Sequence, residues 1–171
     1  MKADFLGDSY DIVKRFFVHE LKAKKYSVLV HAGSVMNSMS QTQRETFLRF
    51  LGAKAKSTPK TARPSALFFD PDTGIREKPG KSHSTFSELC EAADSHEFVF
   101  AFDQAFSRVS RKERQAAIRR KLEVFKSKRC HAMYYNSHAC FVFVSCNKKR
   151  LREWESHLIA LGLPESRLIF S

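Results

Sequence analysis

Glycine is scarce in this chain, with six in 171 residues, and no two of them form a Gly-x-Gly pair. That argues against the glycine-rich loops that cradle dinucleotide phosphates. No stretch approaches eighteen consecutive apolar residues, and the N-terminal residues lack the apolar core of a signal peptide. The expectation is a soluble, cytoplasmic protein with no membrane partner. Cysteine is sparse too. Cys90, Cys130, Cys140 and Cys146 show no CxxC spacing and read as reduced, mostly buried thiols. Cys130, His131, His138, Cys140 and Cys146 have metal-capable side chains, but strand alternation would spread them over opposite faces, and none matches zinc-ligand spacing. Acidic residues are in deficit, 18 against 30 Lys and Arg. The length fits one domain over residues 1–171.

What is abundant is phenylalanine and positive charge. Sixteen Phe point to an aromatic core, and a formal charge of +12 suits a polyanion, either nucleic acid (DNA or RNA) or an anionic membrane surface. The charge is clustered. Residues 108–129 hold ten Lys and Arg against Glu113 and Glu123, which is +8 of the +12. Lys112, Arg119 and Lys126 recur every seven residues on one side of the predicted helix there, with Arg108 and Arg111 nearby. Such residues can hold phosphates without reading bases, although a solvated outer helix face has the same pattern.

Ile12, Val13, Phe16, Phe17 and Leu21 form an apolar stripe on a helix over residues 9–25, capped by Asp8 or Ser9. Capping-box signatures at Ser40/Gln43, Thr85/Glu88 and Ser110/Glu113 open three more helices. A fifth starts at Asn147 and stops before Gly162. Strands are expected at residues 26–30, 66–69, 97–102, 131–135, 138–145 and 167–170, the fourth and fifth as a hairpin around Asn136-Ser137. Residues 53–65 read as a basic loop. Strands alternating with helices predict an α/β fold, a three-layer Rossmann-like, mostly parallel sheet with an antiparallel hairpin towards the C-terminus.

The candidate chemistry is Asp70-Pro71-Asp72-Thr73-Gly74, delivered by the apolar run Ala66-Leu67-Phe68-Phe69. Asp70 and Asp72, two residues apart, would share a face in extended geometry and could hold Mg²⁺ beside a substrate phosphate. The same five residues are also good turn chemistry. Asp103 follows a second buried strand and would reach the same cleft, or simply cap the next residues. His138 in the hairpin is a candidate proton shuttle, or a solvated turn residue. His31, at the end of the first strand, has the same two readings. Asp11 and Lys14 would lie side by side on the first helix as a surface ion pair or a catalytic pairing.

The element order with its late hairpin resembles the class I methyltransferase architecture. Gly7 to Lys14 and Val30-His31-Ala32-Gly33 look like pieces of the ribosomal-RNA adenine methyltransferases, and Leu67 to Asp72 stands where amino-methyltransferases carry Asp-Pro-Pro-Tyr. Thr73 replaces the aromatic of that motif. The chain also resembles a group of bacterial proteins with this Gly7-Asp8 opening and an Asp-Pro-Asp-Thr-Gly centre, which implies no activity. Toprim nucleases, whose strand ends in Asp-x-Asp and holds magnesium, are similar at Asp70 and Asp72, although their first strand ends in Glu and this one in His31. The resulting expectation is a nucleic-acid-binding protein acting as a metal-dependent nuclease. Asp70 and Asp72 would hold the metal, Asp103 and His138 assist, and Arg108, Arg111, Lys112, Arg119 and Lys126 grip the backbone. A non-catalytic module on a methyltransferase-like scaffold, or an S-adenosylmethionine-dependent methyltransferase, are the alternatives.

Overall fold

The computed structural model describes residues 7–56, 64–104 and 110–171. In chain order the elements are α1 (Ser9–Ala23), β1 (Ser27–Val30), α2 (Ser34–Asn37), α3 (Gln41–Leu51), β2 (Lys54–Ala55), β3 (Ser65–Phe69), β4 (Ile75–Arg76), β5 (Ser84–Thr85), α4 (Phe86–Ala93), β6 (Phe98–Phe102), α5 (Arg111–Ser127), β7 (His131–Tyr135), β8 (Phe141–Ser145), α6 (Lys148–Ala160) and β9 (Leu168–Phe170). All three predicted capping boxes form, each satisfying two orphan donors at a helix start. Gly52 ends α3 at φ +71, a left-handed conformation that costs glycine little.

The fold is α/β. Seven strands form one mixed sheet in the order β2-β1-β3-β6-β8-β7-β9. The β2-β1-β3-β6 half is parallel, and β6-β8, β8-β7 and β7-β9 are antiparallel. The sheet is therefore less parallel than the alternation of elements suggested. Strand β8 starts at Phe141 rather than at residue 138, because Ser137 Oγ donates to the Ala139 carbonyl and Cys140 Sγ to that of Ser137, which holds residues 136–140 as a loop. Lys54 and Ala55, expected in a loop, add an edge strand to β1.

Side-chain alternation divides the core into two layers. Val28, Val30, Phe68, Phe100 and Phe143 pack with α1, α3 and α6 on one face, and Leu67, Phe69, Val99, Val142 and Val144 with α4 and α5 on the other. The register explains the phenylalanine content. Phe68 lies opposite Phe100, and Phe100 opposite Phe143, with rings stacked at 4.8 and 5.9 Å across three strands. Among the described residues, no helix is long and apolar enough to cross a membrane.

Candidate functional site

The carboxyl ends of β1, β3 and β6 lie along one edge. From β1 the chain crosses outward to β2, while β3 lies on its other side. Open α/β sheets form their ligand crevice at such a reversal. His31 follows β1 and Asp70 follows β3, so both predicted residues flank it, and the His31 amide donates to the Phe68 carbonyl at 2.8 Å.

Asp70 is not presented to solvent. The Lys14 ammonium donates to Asp70 Oδ2 at 2.9 Å and to Asp11 Oδ1 at 3.0 Å, with side chains of Lys14, Asp11 and Asp70 only 5%, 1% and 3% exposed. The Asp11–Lys14 pair is therefore a buried pair with a third partner, not a surface one. Asp11 Oδ2 also accepts the Gly7 amide at 2.9 Å, and Asp8 caps α1 by accepting from Tyr10 and Asp11. The Lys14 Nζ sits 4.9 Å above the Phe102 ring. Burial pulls the Lys14 pKa down, but the carboxylates of Asp70 and Asp11 outweigh it and leave it above 10.5. Burial raises the Asp70 pKa, Lys14 opposes, and Asp11 and Asp72 add to the rise. Two carboxylates share one ammonium, and the cluster is short of positive charge.

His138 reaches this cluster through rings. It is exposed and stacks on Tyr10 at 4.8 Å, and Tyr10 packs 5.3 Å from Phe102. Asp72 is exposed in the turn before Gly74, whose φ of +81 suits the glycine. The loop beyond it joins a two-stranded parallel ribbon of β4 and β5. Asp70 and Asp72 thus part company, one buried on α1 and one at the surface. Among the described residues, no group of three or more His, Cys, Asp or Glu side chains is placed to hold a metal ion. His31 is half-buried and stacked on Phe69 at 4.3 Å, with burial and then Lys56 lowering its pKa.

Asp103 goes elsewhere. Phe69 pairs with Ala101, so Asp70 stands level with Phe102, and Asp103, one residue on, points to the opposite face of the sheet. There Asp103 Oδ2 accepts from Lys121 Nζ at 2.6 Å and Tyr134 Oη at 2.7 Å, and Oδ1 from the Ile75 amide at 3.2 Å. Lys121 also donates to the Ile75 carbonyl at 2.9 Å. Asp103 therefore ties helix α5 to the loop that carries Asp72.

Helix α5 runs from this edge down the outside of the molecule. Arg114 Nη1 donates to the Ser137 carbonyl at 3.2 Å, which fixes its first turns beside the His138 loop. Lys112, Arg119 and Lys126 are exposed, and Ile118, Leu122 and Phe125 face the core. At 1.5 Å per residue the three cations span about 21 Å. Lys126 has Glu123 at 4.0 Å, both well exposed. Arg111 contributes its backbone to the first turn, and Arg108 lies outside the described residues.

Lys121 and Tyr134 were absent from the expected site, and Lys14 appeared only as a partner of Asp11. A signal for Lys14 exists: Asp11, Lys14, Val18 and Leu21 continue one buried stripe at helical spacing, so two charges lie on the core side of α1. Lys121 likewise sits between the core positions Ile118 and Leu122. Nothing local marks Tyr134.

Burial, then the Asp103 charge and the hydrogen bond to it, push the Tyr134 pKa well above 10.0. Tyr134 and Lys14 both keep their protons in the folded protein where the unfolded chain has begun to lose them. Their contribution is complete below those ordinary values and falls as pH rises through the folded ones. Urea unfolding should therefore show a lower midpoint near pH 11 than near pH 8, with a smaller drop in Tyr134→Phe. Equal midpoints at the two pH values would contradict the assignment. No protein-family model matches this chain, and neither a curated protein nor a solved structure does.

Proposed function

We propose that this protein binds nucleic acid along the outer face of α5 and cleaves it as a metal-dependent nuclease at the edge holding Asp11, Lys14, Asp70 and Asp72. The observation that carries this reading is a shared edge: α5 packs on the sheet face opposite α1, but its exposed row Lys112, Arg119 and Lys126 descends from the same edge, where Arg114 is tied to the His138 loop. A phosphate backbone following that row would meet the His138 loop at its upper end, where Arg114 is tied to Ser137. The finer fold reading, a Rossmann-like and methyltransferase-like scaffold, is supported by four parallel strands followed by the antiparallel β7–β8 pair.

The donor set suits a hard cation only in part. Asp72 is exposed, but one oxygen of Asp70 is already engaged by Lys14. Mg²⁺ needs few protein carboxylates, since water and substrate phosphate fill its remaining positions. Asp11 and Asp70 share a single ammonium, and burial, with Asp11 and Asp72 adding to it, raises the Asp70 pKa, so a cation there would favour the ionised carboxylate. When bound, such an ion would supply charge neutralisation at the phosphodiester and an activated water. Of the chain's own groups, Lys14 holds Asp70 in place, and His138 is exposed where it could move a proton. A second reading, binding without turnover, is favoured by the burial of Asp70, whose charge is spent on Lys14.

The test is incubation of labelled single- and double-stranded DNA and RNA with Mg²⁺, Mn²⁺ or EDTA. The nuclease reading requires metal-dependent cleavage that Asp70→Asn abolishes while binding persists. Binding without cleavage would establish the second reading. Replacing Lys112, Arg119 and Lys126 together with alanine should weaken binding and flatten the plot of log Kd against log salt. The slope should fall by about 0.9 for each B-DNA phosphate that the variant no longer neutralises. An unchanged slope would remove α5 from the interface.

A further inference from the structure

Three of the four cysteines converge at the end of the sheet opposite the acidic edge. Cys130 immediately precedes β7 and Cys146 immediately follows β8. The antiparallel register pairs His131 with Ser145, so the next rung sets Cys130 across from Cys146. Residues opposed in this way have Cα atoms about 4.5–5.5 Å apart. A disulfide needs about 4.4–6.8 Å. Alternation turns both side chains to the face of α4, where Cys130 joins the core, and Cys146 Sγ lies 3.4 Å from both the Ala93 carbonyl and Asp94 Oδ1. Cys90, one helical turn before Asp94, packs against the same core. Cys130 is buried, Cys90 half-buried, and Cys146 exposed and lining a groove of about 920 Å³. The expectation of mostly buried thiols holds for Cys130 and Cys140 alone.

We infer that this cluster is an oxidisable thiol centre, in which a hydroperoxide enters at Cys90 and the stable product is a Cys130–Cys146 disulfide. Cys90 is the entry thiol because it is partly exposed on the turn of α4 where the Lys128 ammonium is docked, 3.0 Å from Ser87 Oγ, and its ionised form is favoured: the hydrogen bond from Cys130 lowers its pKa most, burial opposes this, and Lys128 lowers it further. Burial, and then Asp94, push Cys146 up to about 11, so Cys146 is protonated at neutral pH. The Cys90 thiolate attacks the peroxide O–O bond, giving a sulfenic acid and releasing an alcohol, or water from hydrogen peroxide. Cys130 then attacks the sulfenic sulfur, a Cys90–Cys130 disulfide forms and water leaves. Cys146 loses its proton as it attacks the Cys130 sulfur, and that proton is balanced on the departing Cys90 sulfur, which forms Cys130–Cys146 and returns Cys90 as a thiol. One hydroperoxide is reduced by two electrons, and two thiols are oxidised. Cys140, at the other end of β8, takes no part.

The experiment is addition of one equivalent of hydrogen peroxide to the reduced full chain, followed by thiol titration and peptide mapping without reductant. The expected result is loss of two of the four thiols, a mass lower by two hydrogens, and a linked peptide pair containing Cys130 and Cys146. Cys146→Ser should stop at a Cys90–Cys130 link, Cys90→Ser should form the Cys130–Cys146 link at least tenfold more slowly, and Cys140→Ser should behave as the native chain. Four intact thiols, or a persistent Cys90–Cys130 link in the native chain, would overturn the proposal. An unchanged rate in Cys90→Ser would overturn the entry role. None of these readouts involves nucleic acid, so they stand apart from the nuclease reading.

Discussion

Lys14→Met is expected to lower the unfolding free energy by about 3–5 kcal/mol, the usual consequence of removing one partner of a buried ion pair. Methionine fills nearly the same volume, so the loss isolates charge. It leaves Asp11 and Asp70 facing each other at 1% and 3% side-chain exposure with no ammonium between them. The screening that reduces surface pairs to less than a kilocalorie does not reach this site. Asp70→Asn should cost much less, because Lys14 keeps Asp11 and the amide oxygen still accepts from Nζ. Denaturant unfolding of the two variants checks both statements. Equal losses would mean that the core can spare the Asp70 charge no better than that of Lys14. The contrast also matters for activity assays, since Asp70→Asn should be a folded variant in which lost cleavage reports chemistry, whereas Lys14→Met confounds the two.

Asp103→Leu is the second large effect, again about 3–5 kcal/mol. The substitution removes the carboxylate that accepts from the Lys121 ammonium, the Tyr134 hydroxyl and the Ile75 amide. Tyr134→Phe removes only one donor to Asp103 and should cost about 1 kcal/mol. A local readout separates Asp103 from a generic core residue. Its carboxylate anchors Ile75, so amide exchange at Ile75 should accelerate in Asp103→Leu beyond what the global loss of stability explains. Exchange at Ile75 that merely tracks global unfolding would deny Asp103 its role as the tie between α5 and the Asp72 loop.

The sequence was most legible where the determining forces are local. Capping boxes, the Asp8 and Asn147 caps and the glycine stops depend on atoms a few residues apart, and they formed as the residue order implied. The apolar strands were equally plain, although short edge pairings such as β2 carry no hydrophobic signature because exposure on a sheet edge does not demand one. The acidic site was legible only in outline. Asp70, Asp72, His138 and Lys112 could be named from position, but not their partners.

What the sequence by itself determined is an α/β chain with an aromatic core, an amphipathic basic helix, and carboxylates at the ends of buried strands. The tertiary structure alone decided how those carboxylates are used. Lys14 and Asp70 are 56 residues apart, and only the packing of α1 over the end of β3 brings them to 2.9 Å. Asp70 and Asp103 end neighbouring strands, yet a one-residue offset in register sends one to α1 and the other to α5. Side-chain direction in a sheet reverses at every residue, so a single step of register, invisible in either strand's own residues, separates a shared cleft from two separate buried networks.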